Sequence, residues 1–266
     1  MPKIKINDIK MYYEIYGQGP PLVMIMGVGG NADFWPPRFI KKLSKIFKVV
    51  VFDNRGSGRS DKPDIEYSMK MFADDTVSLM DALNIKRAHI LGISMGGTIA
   101  QELVLNYPER VEKLILCSTN CGFSKSALPL PEALKIMMQP REESTPEEIT
   151  RKSMSARLTE KFIKENPKVI EECIQRECKY PTPPKMYKRQ IDAIVKFNTY
   201  KRLKNINRPT LIMQGKHDLL SPAQNAEILA QNIKGAKLVI FEDVAHDIFS
   251  QESDIVIKNL IEFLKN

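Results

Sequence analysis

The chain has 266 residues, 43% of them hydrophobic and 27% charged, with a formal net charge of +8. This composition is too apolar for a disordered tail and shows no bias towards a fibre; the length suits one large α/β domain carrying an insertion, or two small domains. The longest apolar run, residues 20–30, is about half of a membrane span, and residues 1–10 lack the apolar block of a signal peptide, so a cytoplasmic protein with no membrane association is expected.

Lys3–Ile6 and Ile9–Tyr16 read as a hairpin pair. Residues 22–26 and 49–53 are short apolar runs rich in β-branched residues, as buried strands are. Residues 87–92 and 113–118 repeat that pattern. Helical stretches lie between and after them, at residues 34–44, 69–83 and 96–107, the last ending at Pro108. This β-α-β-α rhythm predicts a mostly parallel sheet with helices on both faces.

The rhythm stops after Cys121. Residues 122–205 show only helical periodicity and breakers, with a helix start at Thr145-Pro146-Glu147-Glu148 and punctuation at Asn166-Pro167 and residues 181–184. Alternation then resumes, with strands at residues 210–214 and Lys237–Phe241 and helices at residues 222–231 and 253–264. One α/β core, residues 1–121 and 206–266, is therefore expected to carry an all-helical insertion.

Lys and Arg are interleaved with Asp and Glu almost everywhere, so the positive charge reads as solvated faces and no nucleic-acid partner is expected. The four cysteines are too few for a disulfide scaffold. Their spacing does not fit a zinc knuckle, and with three histidines in the chain no metal site is expected.

The segment Gly92-Ile93-Ser94-Met95-Gly96-Gly97 closes a predicted strand and opens a predicted helix, the setting that a G-x-S-x-G turn requires. So sharp a turn strains its central residue, and the glycines two positions either side remove side chains that would clash. The Ser94 oxygen is then presented at the carboxyl edge of the sheet. The Met95 N–H, at a helix N-terminus, faces a developing oxyanion. A serine nucleophile needs a base, and the base needs an orienting carboxylate. After Ser94 the histidines are His217 and His246. His246 follows the last strand, where a loop reaches the carboxyl edge, and Asp218 follows the strand that begins at Thr210. The order Ser94, Asp218, His246 results. His217 reads as structural and His89 as a satisfied core or edge histidine; Asp243 and Asp247 are rival acids that sequence proximity does not aim at the His246 ring. A second oxyanion donor must come from another loop; the candidate is the Val28 N–H in Met26-Gly27-Val28-Gly29-Gly30.

These motifs, with residues 53–60 (Asp-Asn-Arg-Gly-Ser-Gly-Arg-Ser), Gly215-Lys216-His217-Asp218 and Ala245-His246, span the core in order. The chain resembles an α/β-hydrolase-fold enzyme of the esterase and 3-oxoadipate enol-lactonase type. The resemblance implies an eight-stranded sheet with its second strand antiparallel and a helical cap over the active site, matching the insertion. It also maps nucleophile, acid and base onto Ser94, Asp218 and His246, and the oxyanion donors onto Val28 and Met95. There is one departure: many members carry His-Gly where this chain has Met26-Gly27. The donor is backbone, so the hole can survive, while the bracing of its loop changes. Residues 53–60 read as a structural buttress.

The cap, residues 122–205, holds 18 Lys/Arg against 11 Asp/Glu, nearly all of the net charge. A solvated outer face explains this; attraction of an anionic substrate is the alternative. Met137, Met138, Met154 and Met186 are candidates for an adaptable acyl pocket, with Gly27, Trp35, Phe34 and Phe123 near strand ends. The expected activity is hydrolysis of a small-molecule carboxylic ester or lactone through an acyl-enzyme, with no cofactor or metal, by a monomer or homodimer. The same triad serves thioesters and C–C cleavage of diketones, and a low-turnover receptor that retains the triad is the alternative from another class. Dehalogenases and epoxide hydrolases of this fold use Asp where Ser94 stands, and iminopeptidases usually carry His-Gly-Gly-Pro-Gly at the oxyanion loop.

Overall fold

The computed structural model describes residues 2–265. Its strands are β1 (Lys3–Ile6), β2 (Ile9–Tyr16), β3 (Pro21–Ile25), β4 (Lys48–Phe52), β5 (Ala88–Ile93), β6 (Val111–Cys117), β7 (Thr210–Gly215) and β8 (Lys237–Phe241). They form one eight-stranded sheet in the order β1-β2-β4-β3-β5-β6-β7-β8. β2 pairs antiparallel with both β1 and β4, and every other pairing is parallel. The expected mostly parallel sheet with an antiparallel second strand is present.

Burial explains why the central strands are apolar without alternation: both faces are covered. In β3, Leu22 and Met24 enter one core while Val23 and Ile25 enter the other. The Val23 side packs on helices α2 (Met69–Ala82) and α3 (Met95–Asn106); the Leu22 side packs on α1 (Pro37–Leu43). The helices between β6 and β7 are α4 (Pro131–Met137), α5 (Pro146–Arg157), α6 (Glu160–Glu165), α7 (Pro167–Glu177) and α8 (Pro184–Lys196). Helices α9 (Gln224–Asn232), α10 (Ile248–Gln251) and α11 (Ser253–Lys265) complete the chain.

The helix expected over residues 34–44 is two pieces. A 3₁₀ turn, Ala32–Phe34, is capped by Asn31, and α1 starts only at Pro37. Pro36 and Pro37 lack N–H groups, and Pro37 holds the residue before it extended (Pro36 φ −59°, ψ 130°), so one continuous helix cannot form. α10, at four residues, is too short to show a helical period in the sequence; Asp247 caps it by accepting from the Ser250 N–H. α5 begins at the expected capping box, with Thr145 and Glu148 bonded reciprocally.

Sheet order positions the site. From β3 the chain moves to β4 on one side and then returns to β5 on the other. The loops after β3 and β5 therefore leave adjacent strand ends in opposite directions, opening a crevice at the carboxyl edge. Two buried ion pairs brace that edge. Asp53 accepts hydrogen bonds from the Ala32 N–H (2.7 Å), the Arg59 N–H (2.7 Å) and Arg59 Nε and Nη2 (2.8 and 2.9 Å). Arg55, buried, pairs with buried Asp75 and reaches Asp8. Asp53→Ala strands the Arg59 guanidinium with Asp33 alone and orphans the Ala32 N–H. It is expected to lower the unfolding free energy by about 3 kcal/mol, read from urea denaturation.

Candidate active site

Ser94 sits between β5 and α3 at φ 55° and ψ −122°. A non-glycine residue there is strained by about 1–3 kcal/mol, and the surroundings hold it in place. Its N–H donates to the Cys117 carbonyl (2.9 Å), while its carbonyl accepts from the Gly97 N–H (2.9 Å) and Thr119 Oγ1 (2.7 Å). The flanking glycines are steric necessities: a Cβ on Gly92 would lie 2.2 Å from the Gly96 carbonyl oxygen, and one on Gly96 would lie 2.0 Å from that of Ile25.

Asp218 follows β7 and is buried, as is His246. His246 Nδ1 lies 2.8 Å from Asp218 Oδ2. That oxygen also accepts from Gln214 Nε2 (2.9 Å), and Oδ1 accepts the N–H groups of Leu220 and Ser221 (2.8 Å each). An ionised carboxylate only accepts, so these contacts keep the proton on Nδ1 and leave Nε2 with its lone pair. The loop carrying His246 is stitched to its neighbours: Ser118 Oγ donates to the His246 carbonyl (2.7 Å), and the His217 N–H donates to that of Val244 (2.9 Å). Ser94 Oγ and His246 Nε2 are not hydrogen-bonded to each other here, and such contacts commonly tighten only with substrate bound.

The rival acids are turned elsewhere. Asp247 caps α10 through Ser250, and Asp243 is exposed. The His217 side chain is exposed. His89 is buried against Phe47, but the expectation that it is satisfied needs correction: Nδ1 has no hydrogen-bond partner. Burial, helped by nearby Lys113, pushes its pKa down, so the neutral ring is the form that tolerates the missing partner.

The N–H groups of Val28 and Met95 are given no partner among the described residues, whereas those of Gly29 and Ser94, next to them in the chain, are bonded. The Gly29 N–H donates to Gln190 Oε1 (2.8 Å), and the Gly29 carbonyl accepts from Thr182 Oγ1 (2.9 Å). Gln190, on α8 and fully buried, also donates to Ser57 Oγ (2.9 Å) and the Arg55 carbonyl (3.2 Å). Asn54 Nδ2 donates to the Met26 carbonyl (3.1 Å). The helical insertion and residues 53–60 thus brace the loop that Met26-Gly27 opens.

Ser94, Met95, Val28 and His246 line one cavity of about 460 Å³, within the range of small-molecule sites. Gly27, Phe34, Trp35, Phe123 and Met137 line it too. Three of the four methionines do not. Met138 is 60% exposed, Met154 packs with Ile170 and Cys173 inside the insertion, and Met186 joins the main core and accepts a hydrogen bond from Tyr67. Met137 and Met138 are consecutive at the end of α4 and so point about 100° apart. The walls that the sequence did not reveal include Ile149, Tyr187, Phe249 and the charged Arg141, Arg157 and Glu177. Arg157 and Glu177 form a buried pair at 2.7 Å. Burial pushes the Glu177 carboxyl up from its ordinary value, and Arg157 opposes this. Among the described residues no cluster of His, Cys, Asp and Glu is placed to hold a metal ion, and no helix is long and apolar enough to cross a membrane.

Comparison with known proteins agrees with this architecture. The chain is 31% identical over 264 residues to a protein of Azorhizobium caulinodans named "Putative carbamate hydrolase RutD", covering 99% of this chain and 98% of that one. It is 29% identical to a poly(3-hydroxyalkanoate) depolymerase of Ectopseudomonas oleovorans, covering 92% and 84%. The crystal structure of the enol-lactonase from Burkholderia xenovorans LB400 superposes with a TM-score of 0.88 at 27% identity, covering all of both chains. Residues 20–253 match the family model for the alpha/beta hydrolase fold, and the chain belongs to that family.

Proposed function

We propose that the protein is a serine hydrolase that cleaves a carboxylic ester or lactone through an acyl-enzyme. The observation that carries this reading is the strained Ser94 at a helix N-terminus, sharing a cavity with a histidine whose Nδ1 is fixed by a buried aspartate. Ser94 Oγ bonds to the carbonyl carbon as its proton passes to His246 Nε2. The N–H groups of Val28 and Met95 receive the oxyanion. The carbon–oxygen bond to the leaving group then breaks, and His246 returns the proton to that oxygen; in a lactone the leaving oxygen stays tethered. Water adds to the acyl carbon as His246 takes its proton, and that proton returns to Ser94 Oγ as the acid leaves. Asp218 holds the tautomer throughout.

The named activities of the relatives support a carbonyl substrate with a heteroatom leaving group. The 31% identical relative favours a carbamate as a second substrate class, attacked at its carbonyl by the same groups. Steady-state hydrolysis of p-nitrophenyl butyrate tests the enzyme reading. Many turnovers per protein chain are expected. A single stoichiometric release of p-nitrophenol by folded protein would contradict it and indicate a receptor.

Gln190 is a positioning residue in this scheme. Gln190→Leu leaves the Gly29 N–H without its acceptor and loosens the loop that carries the Val28 N–H. The expected result is a kcat lower by about 10-fold to 100-fold with little change in KM, since an oxyanion donor acts in the transition state. Steady-state kinetics on the same ester separate the two parameters.

A further inference from the structure

The two edges of the sheet are built differently. At one end β1 is guarded as edge strands commonly are: Lys3 and Lys5 alternate along it and Pro2 precedes it. At the other end β8 reads Lys237-Leu238-Val239-Ile240-Phe241, without proline, and pairs with β7 without a bulge. The Phe241 carbonyl accepts the Lys216 N–H (2.9 Å), so the backbone groups of Lys237, Val239 and Phe241 face β7. Those of Leu238 and Ile240 point out of the sheet and are given no partner among the described residues. The side chains match an open edge. Leu238 is 37% exposed, and Ile240 lines a surface groove with Leu130, Pro222 and Ala223. An edge of this kind is a template for another strand.

Charge selects the strand. Lys234 and Lys237 are exposed at the start of β8, and Glu242 and Asp243 are exposed just beyond its end. Glu242 pairs with Lys216, while Lys234, Lys237 and Asp243 form no ion pair among the described residues. A segment that is positive at one end and negative at the other is complementary to itself when antiparallel.

We propose that a second copy of this chain docks on the β8 edge, β8 against β8 about a twofold axis at Val239, so that the two sheets join into one. In this register Leu238 and the partner subunit's Ile240 exchange backbone hydrogen bonds in both directions, and the partner subunit's Leu238 lies beside Ile240 at the groove. Lys237 lies diagonal to the partner subunit's Asp243, within reach of a long side chain. Each β8 edge is used once and the twofold axis closes the assembly, so a dimer and not a filament results.

Sedimentation velocity of the wild-type chain, at concentrations up to about 0.1 mM, is expected to show a monomer–dimer equilibrium. Leu238→Lys sets a cation on the exposed edge and is expected to leave a monomer whose circular dichroism spectrum and urea midpoint match wild type. Lys237→Glu and Asp243→Lys each set like charges across the pair and are each expected to weaken the dimer about tenfold. Mixed together, these two variants are expected to recover it as a heterodimer, because each supplies the charge that the other lacks. Hydrogen exchange reads the paired groups themselves: the Leu238 and Ile240 amides are expected to exchange slowly in the dimer and fast in Leu238→Lys, with those of Val239 and Phe241 slow in both. A wild-type chain that stays monomeric overturns the proposal. So does a dimer that survives Leu238→Lys, an open-ended polymer, or a mixture of the charge variants that associates no better than either alone.

Discussion

Ser94→Ala is expected to lower kcat for an accepted ester by about 10⁴-fold to 10⁶-fold. The size follows from what the side chain supplies. Without Oγ no acyl-enzyme forms, and the remaining hydrogen-bond donors act only on direct attack by water. The fold has little reason to suffer. The substitution removes one oxygen, and the backbone bonds that hold residue 94 at positive φ, to Cys117, Gly97 and Thr119, are unchanged. Alanine tolerates that φ no better than serine does, so the strain is equal in both proteins. Circular dichroism and the urea midpoint should match wild type while the p-nitrophenyl butyrate rate falls to near background. A variant that retained more than a tenth of the wild-type rate would remove Ser94 from the mechanism.

Asp218→Asn is expected to lower kcat by about 10⁴-fold, for a reason specific to its surroundings. An asparagine amide can be placed two ways. With its NH₂ at the Oδ1 position it would face two N–H donors, those of Leu220 and Ser221. That clash drives the NH₂ to the Oδ2 position, opposite His246 Nδ1 and Gln214 Nε2. There it donates to Nδ1, so the imidazole proton moves to Nε2. The ring then presents a hydrogen where it needs a lone pair, and the serine proton has no acceptor. A loss in kcat with little change in KM is the expected signature in steady-state kinetics. An Asp218→Asn enzyme of near-normal kcat would return the orienting role to Asp243 or Asp247.

The order of strands and helices is legible in the sequence because it depends on local periodicity and on breakers such as Pro108; Pro36 and Pro37, by contrast, break the helix expected over residues 34–44. The turn at Ser94 is legible for a steric reason: Gly92 is required by backbone atoms four and five residues on, and Gly96 by those at the end of the adjacent strand β3. The histidine and aspartate follow from strand ends, since loops at the carboxyl edge have little choice of neighbours. The cavity wall is a different matter. Whether Met137, Met138, Met154 or Met186 faces the site depends on the rotation of each helix about its own axis, which packing between the helices and the sheet sets. Gln190 grips Gly29 across 161 residues of chain, and nothing local marks it. Arg141 lies in a loop with no periodic pattern, so nothing local marks it as part of the cavity wall. The basic composition of the insertion does not say which of its 18 cations line the cavity.

The most direct test of a serine-centred mechanism is covalent capture. Diethyl p-nitrophenyl phosphate transfers a diethylphosphoryl group to an activated serine oxygen with release of p-nitrophenol, leaving a stable ester. Intact-protein mass spectrometry followed by peptide mapping is expected to show one adduct per chain, located on Ser94, forming in step with loss of esterase activity and absent from Ser94→Ala. An active enzyme that remains unlabelled, or that carries the adduct on another residue while losing activity, would contradict the account.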